Sequence, residues 1–283
     1  MELRNIQQAD FKDARVLVRV DFNVELNNVA EIQEHFRLDI VKKTVDHIAA
    51  FSGAKIAILT HFGRPEGKRD EQFSVGQITS AVGRALSRPV VFVPDCIGEV
   101  VEAALTDVSP DTVLLLENVR FYPGEESNDP EFGKSLAQPF SIFVNEAFSV
   151  CHRAHASVVQ IPALLPSYAG FRLLKEVEKL DQVRFSPKHP AIAVIGGAKI
   201  ETKLPLIRKF EEIYDAILVG GKIANEALDE KIAFTEKVLL PQDFDSPLRL
   251  DIGPNTIAYY TQMIKMAKTI VWNGPMGKFE EKP

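Results

Sequence analysis

The segment VLLLENVRFYPGEESNDP, residues 113–130, runs four apolar residues into Glu117 and Asn118 and then sets Arg120 between Val119 and Phe121. An unpaired buried charge is very costly, so an arginine beside a core strand asks for an anion. Similar groups recur through the first half of the chain: Asp21 and Asn23, Arg37, His61 with Gly63 and Arg64, and His152, Arg153 and His155. Any one of these arginines could be tied to a neighbouring Glu. Taken together, their planar forks suit the oxygens of a small polyanion carrying carboxylate or phosphate groups. His152 and His155 read as structural rather than catalytic.

The second half carries different chemistry. Gly196 and Gly197, Gly220 and Gly221, then Asn273 and Gly274 each follow an apolar run. Glycine there allows close backbone approach, and helix N-termini favour phosphates. Lys199 and Lys203 follow the first pair and share a face once a helix has begun. This pattern points to a nucleotide phosphate site. Neither GxxxxGK[ST] nor GxGxxG occurs, so neither a P-loop nor a standard dinucleotide site is indicated. An anion site in one half and a nucleotide site in the other suggest phosphoryl transfer.

The elements that must position these residues are short apolar runs alternating with helical patterns. Strands are expected at 15–22, 55–61, 90–94, 112–118, 141–148, 191–197, 216–221, 237–241 and 269–274, and helices at 38–51, 75–86 and 255–267. Most of the strands are apolar on both faces, as strands covered on both sides must be. Repeated strand–helix–strand order implies an α/β fold with parallel sheets, whose ligands bind beyond the carboxyl ends of the strands. The candidate residues fall at those ends. Residues 173–190 read as a charged helix and a proline-flanked loop, a suitable domain junction. It divides the chain into an N-terminal domain, 1–172, and a C-terminal domain, 191–283.

Composition narrows the function classes. The chain has 283 residues, 46% hydrophobic and 25% charged, with a formal net charge of −6. That length and balance suit two soluble domains, and the acidic balance argues against wholesale nucleic-acid binding. No apolar run approaches the length of a membrane span, and the start lacks a signal peptide's apolar stretch. The two cysteines lack metal-ligand spacing. A cytoplasmic location fits these features.

RVDFNV (19–24), HFGRP (61–65), LLLENVRFYPGEESNDPEF (114–132), HRAHAS (152–157), GGAK (196–199), LDIGP (250–254) and VWNGPMGKFE (271–280) resemble phosphoglycerate kinase, in that family's order and over almost the whole chain. The resemblance implies two Rossmann-like domains joined by a hinge and reversible phosphoryl transfer between 1,3-bisphosphoglycerate and ADP, giving 3-phosphoglycerate and ATP. It implies that Asp21, Asn23, Arg37, His61, Arg64, Arg120 and Arg153 hold 3-phosphoglycerate. It places Gly196, Gly197, Lys203, Gly220, Gly221, Asn273, Gly274, Pro275 and Glu280 on the nucleotide, and makes Arg37 and Lys199 the catalytic pair after hinge closure. Mg²⁺ would accompany ATP or ADP, and a monomer is the implied state.

The chain departs from the family pattern at several points. Lys222 and Arg249 stand where glycines are usual, Glu146 and Ser149 where Asp and Gly are. Pro205 falls early in the helix after Lys199, where it is harmless in the first turn and disruptive deeper. The stretch from Gly221 to Leu250 is short, and the GGG-Asp segment that supplies the family's magnesium ligand is not in the sequence. A fragment of a compact phosphoglycerate kinase is therefore expected. The alternative is a homologue that binds 3-phosphoglycerate without turnover.

Overall fold

The computed structural model describes residues 3–26 and 35–278. The chain divides into two compact units, Met1–Val177 and Glu178–Pro283. The division falls inside one helix, Phe171–Phe185.

The first unit is built on a parallel sheet of six strands: β1 (Arg15–Arg19), β2 (Lys55–Leu59), β3 (Val90–Val93), β4 (Val113–Leu116), β5 (Ile142–Asn145) and β6 (Ser167–Ala169). Their order is β3-β4-β2-β1-β5-β6. Alternate residues feed two separate cores. Val16, Val18, Ile56 and Ile58 pack on one face with Val45, Ile48, Val82 and Leu86. Leu17, Ala57, Leu59, Leu114 and Leu116 pack on the other with Val101, Leu105, Leu136 and Ile161. The central strands therefore read as nearly continuous apolar runs, because helices cover both of their faces. At about 25 cal/mol per Å² of apolar surface, each buried Leu or Ile contributes roughly 1.5–3 kcal/mol.

The second unit repeats this plan on β7 (Ala191–Ile195), β8 (Ala216–Val219), β9 (Val238–Leu239) and β10 (Thr269–Asn273), in the order β10-β7-β8-β9, all parallel. Ala191, Ala193 and Ile195 pack with Ile207 and Phe210 on one face, while Ile192 and Val194 meet Tyr260 and Met263 on the other.

Three local expectations are corrected. The expected helix at 38–51 is two helices, Phe36–Asp39 and Lys42–Ala49, and the one at 75–86 starts as a 3-10 turn over Val75–Ile78 before its α-helical part, Thr79–Leu86. β6 is a strand that the sequence reading lacks. Only three residues long, it pairs with β5 from the sheet edge, too short for a periodic signal.

Candidate functional site

In the first unit the loops after β1, β2, β4 and β5 leave the same edge of the sheet, because parallel strands all point one way. Asp21 follows β1 and gathers three of its neighbours. It accepts from Arg37 Nη1 at 2.5 Å and from Ser149 Oγ at 2.5 Å, and its Oδ1 lies 4.0 Å from His61 Nε2. Burial alone would raise the Asp21 carboxyl, but the Ser149 hydroxyl, His61, the Asn23 amide and Arg37 together hold it below the ordinary carboxylate value. Arg37 remains half-exposed.

A second chain of contacts ties the other loops together. Asn23 Oδ1 accepts from Gly63 N at 2.8 Å, and Gly63 O accepts from Arg120 Nη1 at 2.9 Å. Arg120 Nε lies 3.3 Å from Glu126 Oε1 yet has no hydrogen-bond partner, although it is buried. Burial lowers the Arg120 guanidinium from its usual value, and the charges of Arg153 and Arg64 press in the same direction against the opposing pull of Glu126. Those two arginines therefore lie in its electrostatic reach. Among the described residues, neither Arg64 nor Arg153 is paired with a carboxylate. Contacts through Asp21 and Gly63 thus link Asp21, Arg37 and His61 in one group and Asn23 and Arg120 in another, with Arg64 and Arg153 within electrostatic reach of Arg120.

Glu117, three residues before Arg120, belongs to the scaffold instead. It accepts from Ser74 Oγ, Val75 N and Asn118 N, each at 2.8 Å. Glu146 does similar work, taking the Thr44 hydroxyl and the backbone N–H groups of Arg172 and Leu173 at the start of the helix Phe171–Phe185. Sequence reasoning missed Arg19, Glu125 and Ser157, which lie buried beneath this site. Arg19 carries the same signal as Arg120, a charge closing a core strand, RVLVR.

In the second unit, β10, β7 and β8 are neighbours, so the loops after them are neighbours too. Their glycines serve the backbone first. A Cβ on Gly196 would sit 1.9 Å from Pro275 O, and one on Gly274 would sit 2.3 Å from Gly196 O. Gly196 N donates to Asn273 O at 2.8 Å, Gly221 N to Met276 O at 2.6 Å, and Ile223 N to Gly197 O at 3.1 Å. The sequence reading assigned these glycines to close approach by a ligand. In the fold, Gly196, Gly221 and Gly274 also permit a close approach between the loops themselves, whereas a Cβ on Gly197 would meet only the Lys203 side chain, at 3.8 Å.

Beside these loops lies a cavity of about 620 Å³, lined among others by Gly197, Gly221, Lys222, Glu226, Arg249 and Pro275. Lys199 is the N-cap of the helix Ile200–Ile213, and Lys203, one turn on, donates to Asn273 Oδ1 at 2.5 Å. Pro205 lies within that helix, which continues past it. Because only one N–H is lost there, the placing of Lys203 survives. At the helix N-terminus, Glu226 Oε2 accepts from Ile200 N at 2.8 Å. An internal carboxylate thus takes the first of the N–H groups at that end.

The two departures at glycine positions differ in kind. Arg249 keeps a left-handed backbone, φ 52°, the region that glycine favours. Its guanidinium pairs with Asp229 at 2.7 Å and lies over the Phe244 ring, 5.4 Å from its centroid. Lys222 sits in the helix Gly221–Asp229 and pairs with Glu226 at 3.6 Å, so nothing local there demands glycine. Glu280 lies outside the described residues. Among the described residues, no cluster of three His, Cys, Asp or Glu side chains could hold a metal ion. No helix there is long and apolar enough to cross a membrane.

The family model described as "Phosphoglycerate kinase" matches residues 6–243 and 229–283. A phosphoglycerate kinase of Granulibacter bethesdensis is 37% identical over 328 residues, covering 100% of this chain and 82% of that protein, and one of Rhodospirillum centenum is 38% identical with the same coverage. Among solved structures, phosphoglycerate kinase from Coxiella burnetii matches with a TM-score of 0.79 at 30% identity, and that from Pyrococcus horikoshii with 0.83 at 26%. Each covers 99% of this chain and 82% of the other. The alignment of 328 residues exceeds the 283 of the chain, and the two family matches overlap inside the short stretch after Gly221. With the cationic site on one unit and the glycine loops on the other, the chain belongs to the phosphoglycerate kinase family.

Proposed function

We infer that this chain catalyses reversible phosphoryl transfer between 1,3-bisphosphoglycerate and ADP, giving 3-phosphoglycerate and ATP. The observation that carries this reading is the cationic cluster of the first unit, where, among the described residues, Arg64 and Arg153 have no carboxylate partner and the buried Arg120 Nε, though 3.3 Å from Glu126 Oε1, makes no hydrogen bond. In this reading Asp21, Asn23, Arg37, His61, Arg64, Arg120 and Arg153 hold the acid substrate. Gly196, Gly197, Lys203, Gly220, Gly221, Asn273, Gly274 and Pro275 form the nucleotide side, with Glu280 at the ribose.

The chemistry needs no general base, because the attacking carboxylate or diphosphate oxygen is already anionic. Catalysis reduces to positioning two polyanions and stabilising the charge on the transferring group. Arg37 and Lys199 are the proposed cations for that charge, one supplied by each unit. Mg²⁺ enters as part of the nucleotide substrate, where it screens phosphate charge. A cytoplasmic monomer is part of the proposal, supported by the family membership. Nothing in the comparisons favours a homologue that binds without turnover.

The test is ATP-dependent phosphorylation of 3-phosphoglycerate by the 283-residue chain with magnesium, beside an Arg37→Ala variant. Turnover that vanishes in the variant is the expected result. A folded chain that binds both substrates and never turns over would overturn the reading.

A further inference from the structure

Arg19 closes β1 with a wholly buried side chain. Its Nε donates to Ser157 Oγ at 3.0 Å and its Nη1 to Val20 O, while Nη2 lies 3.3 Å from His61 Nδ1. Glu125, equally buried, stands 3.9 Å from Nη2 and takes both the hydroxyl and the backbone N–H of Ser157, at 2.6 and 2.9 Å. Glu125 thus balances the buried charge, and Ser157 links the pair. No atom of Arg19 is left exposed to meet a substrate.

The contact with His61 has one chemical reading. A guanidinium has donors only, so the imidazole Nδ1 must be the acceptor and carry no proton. The ring is then neutral, with its proton on Nε2, the nitrogen on the Asp21 side. We propose that Arg19 is a positioning residue, which by donating to Nδ1 holds His61 as the neutral Nε2–H tautomer, so that the ring meets the acid substrate as a hydrogen-bond donor and not as a further cation. The proposal rests on the reading that His61 faces that substrate.

The surroundings agree. The charged and titratable groups around His61 are Arg19 from β1, Asp21 from the loop after it, Arg120 from the turn after β4, and His155 ahead of the helix Ala156–Leu164. Of these only Asp21 favours a proton on the ring. Burial, followed by the Arg19 and Arg120 charges, pulls the His61 pKa down to about 2. A site crowded with arginines already attracts the anion. A neutral, oriented donor adds direction without further repulsion among the cations, and it makes binding indifferent to pH at this ring.

The first measurement is a long-range ¹H–¹⁵N correlation of the His61 ring in the intact chain between pH 5 and 8, assigned with His61→Gln. An unprotonated Nδ1, a protonated Nε2 and flat shifts are expected. A proton on Nδ1, or a titration near the ordinary histidine value, overturns the proposal. The second uses the double variant Arg19→Met/Glu125→Gln, which removes both buried charges together. Its His61 should titrate between pH 5 and 8. Relative to the unsubstituted chain, which corrects for the substrate's own phosphate titration, its Kd for 3-phosphoglycerate should be about fivefold tighter at pH 5.5 than at 7.5, the difference between a charge-assisted and a neutral hydrogen bond. A folded double variant whose ring stays neutral in the same tautomer would show Arg19 to be only a core ion pair. If the double variant does not fold, the first measurement still decides. Loss of 3-phosphoglycerate binding with the tautomer intact would count against the functional reading alone.

Discussion

Gly274→Ala isolates what the glycine loops of the second unit do. Gly274 has φ 85°, and an added Cβ would lie 2.3 Å from Gly196 O and 2.7 Å from its carbonyl carbon. Left-handed backbone costs an alanine about 1–2 kcal/mol. The clash is with backbone, so no side-chain rotation relieves it, and the two loops must separate. That separation strains a close-packed contact by about 1–3 kcal/mol and threatens the 2.8 Å bond from Gly196 N to Asn273 O, worth about 1 kcal/mol. The total is about 3–6 kcal/mol. Gly98→Ala is the control, since Gly98 has φ 78° with nothing within 4 Å of the added atom, so only the backbone penalty applies. Urea titrations measure both. The single tryptophan, Trp272, donates its indole N–H to Gly274 O at 2.8 Å and reports the second unit directly, while circular dichroism follows the helices and strands of both units. With a slope of about 1.5 kcal/mol per molar, the Gly274 change should lower the midpoint by about 2–4 M. Equal losses in the two variants would refute the reasoning, because the loop contact would then add nothing to the backbone penalty.

Four further outcomes are expected. Arg120→Ala should weaken 3-phosphoglycerate binding by about 10- to 100-fold, the worth of hydrogen bonds to a charged group, with the fold intact, as calorimetry and circular dichroism would report. Lys203→Met should lower nucleotide affinity by a similar factor of about 10 to 100, read by nucleotide titration, and leave 3-phosphoglycerate binding unchanged. Glu125→Ala strips the counter-ion from wholly buried Arg19, which should cost about 3–5 kcal/mol in denaturant unfolding of the first unit. Asp243 accepts from the Thr256 hydroxyl and from the N–H groups of Asn255 and Thr256 at the start of the helix Pro254–Met266. The Thr256 hydroxyl, followed by those backbone groups, holds its native pKa below the ordinary 3.8. Its stabilisation is therefore present above that value and lost as pH falls through the lower native one. Asp243→Asn should flatten this part of the acid unfolding profile, which melts recorded from pH 5 to 2 would show.

The sequence by itself determined the fold class and the chemical character of each half. Runs such as VLV in RVLVR and VLLL are apolar at successive positions because each face of a covered parallel strand must be buried, a demand visible residue by residue. Arg120 was legible for the same reason, since a charge beside such a run needs a partner wherever it lands. What only the tertiary structure decided depends on contacts between residues far apart in the chain. Ser149 on Asp21, Gly63 between Asn23 and Arg120, and Glu226 on the N-terminus of another helix are set by strand order and loop packing, which no local period encodes. The glycines after β7, β8 and β10 could be seen as a cluster, but not that they face one another's backbone. Likewise a histidine in HFGRP cannot show its protonation. That follows from a buried arginine 42 residues away, through a contact that only the folded sheet creates.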